Sequence, residues 1–301
     1  MDDAEDVGRW RHAVRFTTIL AIAGLLACSP GAGPDPGSTE PSGSTTWSTA
    51  QPSTMPAPTT DESSPTSTAG PTATQGAPTP TRTTPTSALP AALRGRIVST
   101  VPTTQKVVAL TFDGGASNTG AASILSTLST TGVRATFFPT GEFARRYPGT
   151  VSSFASGGHR VGNHSDTHPD FTTLTTSEQV AQLARAESAI KPLAGRTTRP
   201  WFRFPYGASN SAAIVTVNGE GYACIGWTVD TLGWKGTSGG QSVDSVVTRV
   251  LSTVRPGQIV LMHVGANPDD GSTLDADALP RIIAGLRDLG YGFVTIDAAL
   301  G

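Results

Sequence analysis

Two cysteines in 301 residues leave no room for a disulfide framework. Charge is also scarce, at 15% of residues, and nearly balanced, with 21 Lys and Arg against 23 Asp and Glu. Eight of the acids and four of the bases lie before residue 89, which leaves 15 acids and 17 bases in the rest. With no basic cluster there, a nucleic-acid-binding surface is excluded. No G-x-G-x-x-G follows the first candidate strand and no P-loop is present, so nucleotide binding has no support. The apolar run Phe16–Ala27 holds 12 residues, short of the ~20 that span a bilayer. No internal repeat is visible.

What is present divides the chain. Arg9, Arg11 and Arg15 precede Phe16–Ala27, and Cys28 stands where the apolar run stops. This arrangement predicts a signal peptide over residues 1–28 with lipidation at Cys28. An ordinary secretory signal with a chance cysteine is the competing reading. Both readings place the protein outside the cytoplasm, and lipidation adds an anchor to the outer face of the cell membrane. Residues 29–96 form a Pro/Ser/Thr-rich linker; within 29–88 stand 12 of the 23 prolines and 26 Ser or Thr. Such a tract cannot bury enough apolar surface to offset chain entropy. At a polyproline rise of ~3.1 Å per residue it would reach roughly 190 Å. The compact domain is therefore assigned to residues 97–301.

That domain alternates strand and helix. Apolar runs predict strands at Val107–Phe112, Ala135–Pro139, Arg160–Gly162, Phe202–Phe204, Tyr222–Val229, Ile259–His263 and Gly292–Ile296. Helices are predicted at 119–131, Glu142–Ser156 with an interruption at Pro148, Ser177–Leu193, 209–219, Val243–Val254 and Asp277–Leu289. About seven parallel strands with outer helices imply an α/β fold, a distorted (β/α) barrel. An open doubly wound sheet is the alternative. Cys224, inside the apolar stretch Tyr222–Trp227 and without a cationic neighbour, reads as a small buried hydrophobe.

Polar residues gather just past the strand ends: Asp113, His164 with His168, Arg203, Asp230 and His263. In a parallel barrel these ends converge on one face. His164 and His168, at i and i+4, are spaced to share one divalent metal, although two surface imidazoles on a polar loop are an equal reading. Pro169 keeps His168 out of the right-handed helical region. Arg203 lies between Phe202 and Phe204 and should be buried and therefore paired. His263, taken alone, reads as a satisfied core histidine.

Five ordered motifs carry a resemblance: Thr111-Phe112-Asp113-Gly114-Gly115, His164-Ser165-Asp166-Thr167-His168, Arg203-Phe204-Pro205-Tyr206-Gly207, Asp230-Thr231-Leu232-Gly233-Trp234 and Leu261-Met262-His263. Together they resemble the polysaccharide deacetylase family, which includes chitooligosaccharide, chitin and peptidoglycan deacetylases and some acetylxylan esterases. The resemblance spans most of residues 105–298. It implies His164 and His168 as ligands of a divalent metal, zinc or cobalt, and Asp113 as general base. It implies the backbone N–H of Tyr206 in an oxyanion hole, Arg203 as the partner that keeps Asp113 ionised, and His263 as general acid. Trp234 would line the acetyl pocket, and His159 would have a structural role. The partner implied is an acetylated polysaccharide. No oligomer interface is apparent, so a monomer is expected.

Two positions depart from the family pattern. Gly114 stands where a metal-ligating Asp is usual, and Gly233 where an Asp usually orients the catalytic His. For the first, Asp113 could coordinate directly or Asp166 could turn inward. For the second, Asp230 could reach His263. The expected activity is metal-dependent removal of N-acetyl groups from an envelope or extracellular N-acetylglucosamine glycan of peptidoglycan or chitin type. An O-acetyl esterase acting on xylan and a non-catalytic glycan-binding lipoprotein are the alternatives.

Overall fold

The computed structural model describes residues 89–301. The predicted signal segment, Cys28 and the linker up to residue 88 lie outside the described residues. No described helix is long and apolar enough to cross a membrane. Leu89 and Leu93 are buried, so the packed chain takes in residues that composition assigns to the linker.

Nine strands and eight α-helices are described. They run β1 (Ile97–Val98), β2 (Val107–Gly114), α1 (Ala121–Thr131), β3 (Thr136–Pro139), α2 (Gly141–Arg146), α3 (Pro148–Ser156), β4 (Arg160–Val161), α4 (Thr176–Ala194), β5 (Trp201–Phe202), α5 (Ser211–Gly219), β6 (Ala223–Ile225), β7 (Val229–Asp230), α6 (Val243–Ser252), β8 (Gln258–His263), α7 (Leu274–Asp288), β9 (Gly292–Phe293) and α8 (Ile296–Leu300). Pro148 does not kink one helix but starts a second, where its missing N–H costs nothing. The predicted strand Tyr222–Val229 is two strands, β6 and β7, placed in different sheets.

All named strands pair in parallel. One sheet has the order β4-β3-β2-β8-β7, with β9 also on β2, and the other β1-β6-β5. The sheets meet at both edges. On one side Asn163 bridges Phe202; on the other Thr100, just past β1, bridges Gln258 of β8, and the Thr228 hydroxyl donates to the Ser99 carbonyl at 2.6 Å. The result is a distorted barrel, with alternate residues facing opposite ways along each strand. Val108, Leu110 and Phe112 pack outward with Ile124, Leu128, Ile282 and Ile283 of the surrounding helices. Ala109 packs inward with Phe138, Trp201 and Ile259. Thr111 and Asp113 have Ala109's parity, so the same alternation turns them toward the barrel axis.

A third cluster, with Phe171, Phe202, Phe204, Tyr222 and Cys224, fills the space under α4 and α5. His159 serves this architecture rather than the strand-end site. Its Nδ1 accepts the Ala135 N–H at 3.2 Å, and burial, with Arg134 nearby, pushes its pKa down to about 4. Cys224 is fully enclosed, and burial pushes its thiol up to about 12. A thiol that remains protonated is a poor nucleophile. Cys224 should therefore resist iodoacetamide at pH 8 in the folded protein and react once denatured, as read by peptide mapping.

Candidate active site

The strand ends do converge, and a guanidinium organises them. Arg203 follows β5 and has no exposed surface. Its Nη1 donates to Asp113 Oδ1 at 2.8 Å, and its Nη2 to Thr111 Oγ1 at 2.9 Å and to the Gly226 carbonyl at 3.1 Å. Nε reaches the Ile225 carbonyl at 3.3 Å, and the guanidinium lies 4.4 Å from the Phe138 ring centre. A planar fork of fixed donors suits this role in a way an ammonium does not. Burial works to raise the Asp113 pKa, but Arg203, with His164 and His263 beyond it, holds the carboxyl below its ordinary value.

The Arg203 backbone sets the first imidazole. Its carbonyl lies 2.9 Å from His164 Nδ1, which assigns the Nδ1–H tautomer and leaves Nε2 with a lone pair. That Nε2 faces Asp113 Oδ2 at 3.4 Å. His168 stands beside it, with ring centres 4.8 Å apart, and the Tyr206 ring is 4.5 Å beyond. Burial lowers the pKa of both histidines, that of His168 to about 4, so both imidazoles are neutral at pH 7.

Backbone strain marks the same loops. Ser165, His168, Tyr206 and Leu232 are the non-glycine residues with positive φ among those described, and all lie past strand ends. His168 sits at φ 61°, outside any helix, as Pro169 requires. Tyr206 is 71% exposed, and its N–H precedes the first donor of the turn that follows Phe204, which is Gly207. The turn therefore leaves that N–H free for a ligand.

The chemistry of the donor set fits a divalent cation. Two neutral imidazoles and a carboxylate, one acceptor facing another at 3.4 Å, form an arrangement that a shared positive charge stabilises. The three do not close into one coordination group: no group of three or more His, Cys, Asp or Glu with metal-holding geometry is found among the described residues. The expectation that Asp166 turns inward is overturned. Its carboxylate pairs with Arg145 Nη1 at 2.7 Å and Arg185 Nε at 2.9 Å, on the α2 and α4 side. Asp113 remains the carboxylate facing the histidine pair. Gly114 could carry a larger side chain, because a Cβ there would meet only the Phe143 ring, at 3.5 Å.

His263 ends β8 in register with Asp113, and the Trp234 ring lies 6.4 Å from it. Asp230 is not its partner, contrary to expectation. Asp230 Oδ1 accepts the Leu232 N–H at 2.9 Å and Oδ2 the Trp234 Nε1–H at 3.4 Å. The carboxylate against His263 is Asp275, in the first turn of α7: Oδ2 accepts the His263 backbone N–H at 2.8 Å and lies 3.5 Å from Nδ1. Burial would lower the His263 pKa, but Asp275 above all, then Asp113 and Asp230, raises it. Sequence reasoning missed Asp275. Its one signal was an acid near a helix N-terminus, which is ordinary there.

The polysaccharide deacetylase family model matches residues 100–225. A chitooligosaccharide deacetylase of Sinorhizobium fredii is 33% identical over 191 residues, 61% of this chain and 87% of the relative. The solved structure of a peptidoglycan N-acetylglucosamine deacetylase superposes with a TM-score of 0.62 at 32% identity, covering 67% of this chain and 91% of that one. A CE4 family pseudoenzyme from Bacillus anthracis superposes with a TM-score of 0.63 at 29% identity, covering 69% and 70%. The chain belongs to the polysaccharide deacetylase family.

Three outcomes follow from this geometry. Removing one member of a buried ion pair costs about 3–5 kcal/mol, so Arg203→Ala should lower unfolding free energy by that amount in denaturant titration. Because Asp113 is held below the unfolded value of about 3.9, the pair stabilises fully above that pH and fades as pH falls through the folded value. Asp113→Asn should flatten this acid limb in melts from pH 7 to 3. Separately, Gly114→Asp should tighten zinc binding on the order of 10-fold by calorimetry.

Proposed function

We propose that the domain hydrolyses N-acetyl groups on an N-acetylglucosamine polymer of the cell envelope, of peptidoglycan or chitin type. The observation that carries this reading is Asp113, ionised by the wholly buried Arg203 and facing a pair of neutral imidazoles. Asp113 takes a proton from the attacking water as general base. The Tyr206 N–H donates to the oxyanion that forms on the acetyl carbonyl. His263, whose pKa Asp275 raises above that of an ordinary imidazole, gives its proton to the leaving amine. Exposed Trp234, beside His263, covers the acetyl group.

A divalent metal held by His164 and His168, with Asp113 facing it, would supply Lewis acidity to the carbonyl and the water, and zinc or cobalt suits such nitrogen donors. Asp230 acts one step removed, by holding the Leu232–Trp234 loop. The relatives named for chitooligosaccharide and peptidoglycan support the N-acetyl substrate. In the whole chain the linker and Cys28 would tether this domain outside the cytoplasm, within reach of the wall.

One observation favours a second reading, a glycan-binding protein without turnover. Gly114 leaves the metal set short of a carboxylate, and a pseudoenzyme is among the similar structures. Acetate release decides between them. The protein, loaded with zinc or cobalt, is incubated with acetylated chitooligosaccharide, peptidoglycan and acetylxylan. The expected result is release from the N-acetyl polymers, with Asp113→Asn and His168→Ala each lowering kcat by ~10²–10⁴-fold. Release from xylan alone would make it an esterase. Binding without release by folded, metal-loaded protein would establish the second reading.

A further inference from the structure

His263 has a carboxylate partner that its own motif does not supply. Asp275 is 3% exposed, and both oxygens are committed. Oδ1 accepts the Thr231 hydroxyl at 2.6 Å, and Oδ2 accepts the His263 backbone N–H at 2.8 Å. The buried His263 Nδ1 makes no hydrogen bond among the described residues, and Asp275 Oδ2 stands 3.5 Å from it. No other Asp or Glu among the described residues lies within 4 Å of this imidazole.

The surroundings of Gly233 say why the carboxylate comes from α7. A Cβ built on Gly233 would overlap Asp275 Oδ1 and sit 2.6 Å from its Cγ and 3.0 Å from Oδ2. The volume that a side chain at 233 would enter is thus already filled by the Asp275 carboxylate. Gly233 has an ordinary backbone conformation, so what it lacks is space, not conformational freedom. Thr231, in the same loop, donates the hydroxyl that fixes the intruding oxygen.

We propose that Asp275 is the positioning residue of the deacetylase site: delivered from the first turn of α7, it fixes the Nδ1–H tautomer and the charge of His263. It thereby fills a place that a residue at 233 would otherwise hold. The Nδ1–H points at Asp275, Nε2 faces the substrate side, and a protonated imidazole there donates from Nε2 to the leaving nitrogen. The proposal rests on the deacetylase reading for its kinetic consequence and on geometry alone for the pairing.

The test is a relocation of the carboxylate. Asp275→Asn keeps the side chain's shape and removes the charge; its Oδ1 can still accept the His263 N–H while its amide N–H donates to the Thr231 hydroxyl, reversing that bond. It should lower kcat by ~10²-fold or more, with KM within about twofold of wild type. Gly233→Asp alone should also lose activity, because two carboxylates then compete for one volume. The double variant Asp275→Ala/Gly233→Asp should recover at least ~10-fold in kcat over Asp275→Ala, a rescue that a purely structural Asp275 would not allow. Thermal melts confirm that each variant is folded. Full kcat in Asp275→Asn, or no recovery in the folded double variant, would overturn the proposal. Should folded wild type release no acetate, the deacetylase reading fails by itself, and ¹⁵N spectroscopy of His263 then decides. A single Nδ1–H tautomer that becomes mixed in Asp275→Ala supports the pairing; an unchanged spectrum overturns it.

Discussion

The ion pair between Arg203 and Asp113 is the constraint on which the rest depends. A guanidinium with no exposed surface has lost all its hydration, and each lost hydrogen bond must be replaced within the fold. Here the replacements come from both sheets: Asp113 and Thr111 on β2, and the carbonyls of Ile225 and Gly226 at the end of β6. The two sheets of the barrel are therefore tied at the site itself. Neither can settle without the other if the charge is to be satisfied.

From this pair the site propagates outward by backbone. The carbonyl of Arg203 selects the His164 tautomer, and the turn after Phe204 carries Tyr206 to the rim. Asn163, the residue before His164, is fully buried. Its side chain donates to the Leu183 carbonyl and to the Tyr222 hydroxyl and accepts the Ser165 N–H. A loop held at both ends in this way can retain two residues in the left-handed region, because the surrounding bonds over-determine it.

Much of this was legible in the sequence because burial and charge make demands that show locally. Arg203 between two phenylalanines had to be buried, and a buried Arg had to find an acid. The strands at Val107, Ala135 and Ile259 declared themselves by apolar runs of adequate length. Ile97–Val98 did not, since two residues have no period to read. The division of Tyr222–Val229 was hidden for another reason. The break at Gly226–Thr228 is set by tertiary partners, Arg203 on one side and Ile259 on the other, and no local pattern encodes them. Asp166 looked available because its ion-pair partners, Arg145 and Arg185, lie 21 and 19 residues away on separate helices. Asp275 lies outside every motif, and only the close approach of α7 to the Leu232–Trp234 loop reveals it.

That close approach also constrains how such a site can change over generations. A carboxylate at 233 and a carboxylate at 275 exclude one another, yet under the positioning role proposed for Asp275 the imidazole needs one of them. A lineage passing from one arrangement to the other by single substitutions meets an intermediate with two charges crowded together, or an intermediate with none. Either step is costly before the second repairs it, so the two forms are separated by an epistatic barrier. Position 233 is then not free to drift: the space a side chain there would enter is held by a residue of α7.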